Sequence, residues 1–162
     1  MEETSTKILS ARADCISCAK TLIGLARQQV YIIGQNLEAE LFNYQSIYDH
    51  LTDMATMNRK TDIRIIAHDT RIATSNGHYL ILLAQKLPSF AQIRITINPE
   101  HKKFRESWLI VDDMAFMRLK NPARYEGYYD TDNKLECRSL TEEFNEIWEA
   151  CQPDQNTRRL SL

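Results

Sequence analysis

The sequence predicts an α/β domain in which a mixed, largely parallel sheet is flanked by helices. Three observations carry this. Short apolar runs at residues 30–33, 63–67 and 92–97 alternate with stretches of helical periodicity. A later pair of runs, 108–111 and 115–119, closes around Asp112-Asp113-Met114 as a hairpin, which makes the sheet mixed. Glycine is rare, at 4 in 162 residues, and no repeat, linker or low-complexity segment interrupts the chain, so residues 1–162 read as one domain.

The elements follow in order. Residues 1–9 are polar and read as a loose tail. From Asp14, apolar residues recur at Cys15, Cys18, Ala19, Leu22, Ile23 and Ala26, the spacing of a helix with one buried face. Val30-Tyr31-Ile32-Ile33 is a buried strand ended by Gly34-Gln35-Asn36. Tyr44, Ile47, Tyr48, Leu51, Met54 and Ala55 mark a second helix, and Asn58-Arg59-Lys60 places cations near the negative end of its dipole. Residues 63–67 form the next strand, with His68-Asp69-Thr70-Arg71 just past its C-terminal end. Asn76-Gly77-His78 leads into a third helix with Leu80, Leu83, Ala84 and Leu87 inward, and Pro88-Ser89 stops it. Residues 92–97 alternate as a strand with one wet face. Residues 98–103 are a charged loop before the hairpin. Residues 121–133 are irregular, hold Tyr125, Tyr128 and Tyr129, and leave room for a short edge strand. The last helix carries Cys137, Leu140, Phe144, Ile147, Trp148 and Cys151 on one stripe. The Ser139-Leu140-Thr141-Glu142 pattern of a capping box falls inside it, because the helix starts earlier. Pro153 ends it, and residues 153–162 read as a polar tail.

Composition bounds the function. Hydrophobic content of 43% and charged content of 26% are those of a soluble globular protein. A net charge of −2 gives no global reason to expect nucleic acid or an anionic membrane as a partner. The longest apolar runs, such as residues 79–84, are far too short to span a bilayer. The opening Met1-Glu2-Glu3-Thr4 is wrong for a secretory signal, so the expected location is the cytoplasm. Cys15 and Cys18 form a C-x-x-C, but Cys137 and Cys151 stand fourteen apart and supply no second pair. The pair also lies inside a helical pattern rather than at a strand-to-helix turn. Buried free thiols are therefore expected, with no metal and no cofactor.

The segment from Arg105 to Asp113 is the most informative. It resembles the signature strand of the phospholipase D-like superfamily, His-x-Lys followed by four residues and Asp, with Arg105 at the His position, Ser107 at the Lys position and Asp112 at the Asp. The order of elements is similar to one half of that fold, and Phe144-Asn145-Glu146-Ile147-Trp148 looks like the family's closing helix. More closely, the chain resembles a group of uncharacterised bacterial phospholipase D-like domains. The matching residues are Asp69 with Gly77-His78, Leu83-Ala84 with Leu87-Pro88-Ser89, residues 108–112, residues 144–148, and Arg158-Arg159-Leu160. The resemblance implies a phospholipase D-like sandwich, pairing of two such halves as a homodimer, and a GNAT-type acetyltransferase as a neighbour or fusion partner. It also implies what is missing. The family's reaction needs a His nucleophile, a second His as acid and Lys to neutralise the phosphoryl oxygens. Arg105 has no lone pair to give, and Ser107 offers a hydroxyl where a cation belongs. His101-Lys102-Lys103 has the His-x-Lys spacing, but the residue five after Lys103 is Trp108, not Asp.

Three constellations remain as binding candidates, with no catalytic residue assigned. The aromatic cluster Tyr125, Tyr128 and Tyr129 with Arg124 suits stacking on bases or an interface; the plainer alternative is that it covers the sheet edge. Arg105 and Ser107, with His101, Lys102 and Lys103 nearby, suit a phosphate-containing ligand; the plainer alternative is a solvated loop balanced by Glu100 and Glu106. Asp69, Arg71 and His78 lie past a strand end, where α/β sheets bind ligands; the plainer alternative is that Asp69 ties down its loop and His78 fills a packed position. The leading expectation is a non-catalytic binding or regulatory module. The alternative is a phosphoesterase or nucleotide-acting enzyme with a non-standard site, using His78 or His101 with Asp69 or Asp112. A third reading is an interaction partner, including self-association.

Overall fold

A computed structural model describes residues 6–157. Its elements are β1 (Lys7–Leu9), α1 (Arg12–Leu25), β2 (Gln29–Ile33), α2 (Ala39–Phe42), α3 (Gln45–Met57), β3 (Asp62–Ala67), α4 (Arg71–Asn76), α5 (Tyr79–Lys86), β4 (Ala91–Thr96), β5 (Ser107–Val111), β6 (Ala115–Asn121), β7 (Glu126–Asp130), α6 (Lys134–Glu149) and β8 (Cys151–Pro153). No helix among the described residues is long and apolar enough to cross a membrane.

The eight strands form one sheet in the order β1-β7-β6-β5-β2-β3-β4-β8. It is mixed, as expected, but its parallel part is only the β2-β3-β4 centre. The other pairings are antiparallel, so the expected largely parallel sheet holds only at that centre. The reason is the hairpin: β5 docks antiparallel on β2 and brings β6, β7 and β1 with it.

Strand alternation divides the core between the two faces. Val30, Ile32, Leu109, Val111, Met117 and Leu119 face one layer with the buried residues of α1 to α5. Tyr31, Ile33, Trp108, Ile110 and Phe116 face α6 through Cys137, Leu140, Phe144, Ile147 and Trp148. On that second face Tyr31 stacks on Phe144 at 4.8 Å, and Arg94 lies 4.2 Å over Trp148. Each fully buried large apolar side chain contributes about 1.5–3 kcal/mol.

Several boundaries differ from the sequence reading. Lys7–Leu9 is a strand on β7, so the tail read at residues 1–9 is ordered there. The edge strand sought in residues 121–133 is β7, but β1 covers it. The last helix ends before Cys151, which begins a strand paired antiparallel to β4. Beyond it, Asp154 and Thr157 are buried, with the Asp154 carboxylate accepting the hydroxyls of Thr70 at 2.8 Å and Thr157 at 2.6 Å. The Arg158-Arg159-Leu160 part of the resemblance lies outside the described residues.

Candidate functional site

The carboxyl ends of β2 and β3 meet the start of β5 and the end of β6, because β5 runs antiparallel to β2 with Ile33 opposite Trp108. Strand carboxyl ends are where open α/β sheets bind ligands. A cleft of about 840 Å³ opens there, within the size range of small-molecule sites. Its walls are the 35–43 segment, α4 with Gly77 and His78, Arg105, and the 120–125 turn.

The 35–43 wall is built by backbone that side chains rarely adopt. Leu37 and Glu38 have φ of 72° and 39°, and Tyr125 on the opposite wall has φ of 56°. Left-handed non-glycine residues are costly, and they cluster at ligand sites. Here each has an identifiable clamp. The Glu38 carboxylate accepts the N–H of Gln35 at 2.6 Å and of Asn36 at 3.1 Å. The Leu37 carbonyl accepts the Nε2–H of His78 at 3.0 Å. The Tyr125 carbonyl accepts the Cys15 thiol at 3.3 Å.

The 120–125 wall rests on a bulge. Between β6 and β7 the register jumps from Leu119↔Gly127 to Asn121↔Glu126, which leaves Lys120 unpaired. A bulge re-aims side chains, and this one puts Lys120 and Asn121 on the cleft rim, with Lys120 Nζ 5.7 Å over the Tyr128 ring. The strands close so tightly that a Cβ at Gly127 would overlap the Arg118 carbonyl oxygen and lie 2.7 Å from Leu119 Cα.

Arg105 enters between these walls. Its Nη1 donates to the carbonyls of Lys102 at 2.6 Å and Phe104 at 3.1 Å and to Gln35 Oε1 at 3.2 Å. Its other nitrogens make no hydrogen bond among the described residues, and the side chain is exposed. The Phe104 carbonyl also accepts His68 Nε2–H at 2.7 Å, while His68 Nδ1 accepts the Thr96 hydroxyl at 2.7 Å. Burial lowers the His68 pKa against the opposing pull of the Phe104 carbonyl, so the ring is neutral.

The residues singled out in the sequence thus separate. His78 and Arg105 share the cleft. His78 is also the cap of α5: its Nδ1 accepts the Leu80 N–H at 3.0 Å, and burial lowers its pKa while the Leu37 carbonyl opposes. Both ring nitrogens are occupied, so His78 is a clamp rather than a free base. Ser107 is buried, paired opposite Leu119, and its Oγ has no hydrogen-bond partner. His101 sits in the short helical turn before β5, away from the cleft. Asp69 and Arg71 bind each other, Nη2 to Oδ2 at 2.7 Å, and Asp69 Oδ1 accepts the Arg71 N–H at 2.9 Å. Those bonds from Arg71 lower the Asp69 pKa. Both residues stand outside the cleft.

Asp112 is at the opposite end of β5 from Arg105. It and Asp113, with φ of 52° and 55°, form the left-handed pair of the hairpin turn. Its carboxylate accepts the N–H groups of Arg27 at 2.8 Å, Gln28 at 3.0 Å and Gln29 at 2.8 Å. Its work is to hold the α1-to-β2 loop, far from any chemistry at Arg105.

Gln35, Glu38 and Lys120 were not found by sequence reasoning, and Tyr125 stood out there only as part of an aromatic cluster. Among the described residues, no group of three His, Cys, Asp or Glu side chains gathers to hold a metal.

Comparison with known proteins places this arrangement. No curated protein matches the sequence. Among solved structures, TrmBL2, an archaeal chromatin protein whose structure shows a mode of DNA binding, superposes with a TM-score of 0.69 at 15% identity over 94% of this chain and 54% of its own. This chain therefore spans about half the length of that protein. Nuc of Salmonella typhimurium, a phospholipase D family member, gives 0.64 at 14% identity over 93% of this chain and 97% of its own. NucT of Helicobacter pylori gives 0.60 at 14% identity over 92% and 98%. The fold is phospholipase D-like, and the family model of a domain of unknown function, DUF7931, matches residues 11–160: the chain belongs to that family.

Proposed function

We propose that this domain is a non-catalytic phospholipase D-like module that binds a small polar ligand in the cleft between Arg105 and the 35–43 wall. The observation that carries the reading is the state of the four imidazoles. His68 and His78 have both ring nitrogens bonded, His50 Nε2 is 2.9 Å from the Ala26 carbonyl, and His101, whose Nδ1 is buried without a partner, does not line the cleft. The histidine nucleophile of the phospholipase D-like reaction needs an imidazole with a free nitrogen facing its substrate. Arg105, at the start of the signature strand, offers instead a cation held by three oxygens, which suits binding. Clustered backbone strain on both walls supports a ligand site rather than an idle groove.

The alternative, an enzyme with a non-standard site, has less support. Asp112 is a strand length from Arg105, and Asp69 is spent on Arg71. Incubation of the purified protein with bis-p-nitrophenyl phosphate separates the two. Release of p-nitrophenol at the rate of the buffer blank is expected. Robust turnover abolished by His101→Ala or Ser107→Ala would overturn the non-catalytic reading.

A further inference from the structure

Arg105 and Glu38 present opposite charges to one cleft, and they do not pair. Both are bound to the same residue: Arg105 Nη1 donates to Gln35 Oε1, and the Gln35 N–H donates to Glu38 Oε1. One glutamine therefore separates the cation from the carboxylate. Each charge is pinned independently, Arg105 by the Lys102 and Phe104 carbonyls and Glu38 by the Gln35 and Asn36 N–H groups. Opposite charges left free on a surface can pair, at a small gain in free energy. These are held apart, and the holding uses left-handed backbone at Leu37 and Glu38.

The neighbours repeat the pattern. Lys120 lines the cleft with Arg105, its Nζ 5.7 Å over the Tyr128 ring, and Glu40 lines it with Glu38. Glu40 is only loosely engaged by Arg12 at 3.6 Å, with both side chains more than half exposed. Carboxamides also line the cleft, including Asn36, Asn76 and Asn121. A site for a phosphate alone would show a surplus of cations, as phosphate recognition elsewhere does. The lining of this cleft instead holds two cations and two carboxylates, with amides among them.

We propose that the cleft binds a small zwitterion, its anionic group at Arg105 and Lys120 and its ammonium at Glu38 and Glu40. This inference deepens the reading of the cleft as a binding site and rests on it. The shared chemistry is one anion and one ammonium a few bonds apart; the anion is either a carboxylate or a phosphate monoester. Preorganisation supports it, because both charges are already fixed and little side-chain entropy is lost on binding.

Isothermal titration of the full chain at low ionic strength tests it with four probes. O-phosphoethanolamine and β-alanine carry both charges, inorganic phosphate carries only the anion, and ethylamine only the cation. At least one zwitterion should bind about tenfold more tightly than either single-charge probe. The stronger of the two identifies the anion. Arg105→Gln and Glu38→Gln should each weaken that zwitterion by about tenfold or more. Glu38→Gln retains a carbonyl oxygen for the Gln35 and Asn36 N–H groups, and its circular dichroism should match the parent. Inorganic phosphate binding as tightly as O-phosphoethanolamine, lost in Arg105→Gln but unchanged in Glu38→Gln, would overturn the zwitterion while leaving the cleft a binding site. Binding of no probe would also overturn it. Turnover of bis-p-nitrophenyl phosphate would instead overturn the non-catalytic reading beneath it.

Discussion

The Nε2–H of His78 donates to the Leu37 carbonyl across 3.0 Å and so ties the start of α5 to a left-handed residue in the opposite wall of the cleft. The same ring accepts the Leu80 N–H, so one buried side chain fixes two backbone segments. His78→Ala removes a helix cap and leaves a buried carbonyl without its donor. The expected loss is about 3 kcal/mol, read by urea denaturation. A loss below about 1 kcal/mol would show that the ring is not the clamp.

His78 and His68 together predict a pH dependence. Burial lowers both folded-state values below the ordinary 6.5, so the unfolded chain binds protons more readily. The stability that the neutral rings contribute is whole above that ordinary value and is lost as pH falls through the folded-state values. Asp69 and Glu106 act in a lower window. Arg71 holds Asp69 down; for Glu106, burial pushes up, but hydrogen bonds from Arg118 and Trp108 outweigh it. Their contributions persist until pH falls below the ordinary carboxylate range. The thermal midpoint should therefore drop between pH 7.5 and about pH 5.5, and less steeply in the double variant His68→Gln with His78→Gln. A flat profile across that range in the parent protein contradicts the assignment of both rings as neutral clamps.

Asp112 predicts an effect on stability alone. Asp112→Ala orphans three N–H groups of the α1-to-β2 loop and should cost about 2–3 kcal/mol. Asp112→Asn keeps an acceptor but loses the charge, and should cost less. Binding at the cleft should be the same for parent and Asp112→Asn, because the carboxylate stands at the far end of β5. An Asp112→Asn protein of parental stability that loses binding would place Asp112 in the site after all.

Gly127 connects packing to the cleft. A Cβ there meets backbone on β6, which cannot swing aside as a flexible side chain would. Gly127→Ala should cost about 1–3 kcal/mol, from overpacking at the bulge. It should also change the ¹⁵N–¹H resonances of Lys120 and Asn121, the residues that the bulge puts on the cleft rim. Unchanged resonances at both would separate the bulge from the site.

How much of this was legible in sequence depended on length and on backbone. The central strands and the helices α1, α3, α5 and α6 carry enough residues for periodicity to show. α2 has four residues and α4 six, less than two turns each, so no repeat could mark them. Cys151 continued the apolar stripe of α6, and only its pairing with β4, a contact distant in sequence, makes it a strand. The sheet's direction was misjudged for the same reason: alternation of strands and helices reports parallel crossovers, whereas the docking of β5 on β2 is a tertiary fact. At the cleft, Arg105 and His78 stood out by residue type. Tyr125 stood out as one of three clustered tyrosines, but its left-handed turn did not show; Glu38 did not stand out, because its left-handed backbone occurs without glycine, and Lys120 sits at a bulge that leaves no mark in the side-chain pattern.

The four thiols predict inertness. Burial is the first cause at every one, pushing Cys15 and Cys151 to about 11 and Cys18 and Cys137 to about 12. The thiolate is the reactive form, so at pH 8 Cys15 and Cys151 ionise about a hundredfold less than a free thiol, and Cys18 and Cys137 about a thousandfold less. Cys15 and Cys18 share the buried side of α1, and the Cys15 thiol is spent on the Tyr125 carbonyl. Titration of the folded protein with a chromogenic disulfide reagent should proceed slowly, starting at Cys151, which is only partly buried. Rapid release of four equivalents is expected only after denaturation. Fast labelling of Cys15 or Cys18 in the folded protein, or a disulfide between them under mild oxidant, would restore a redox role to the C-x-x-C. Slow labelling makes that motif a packing feature of α1, with Cys15 serving the cleft only through the Tyr125 turn it holds.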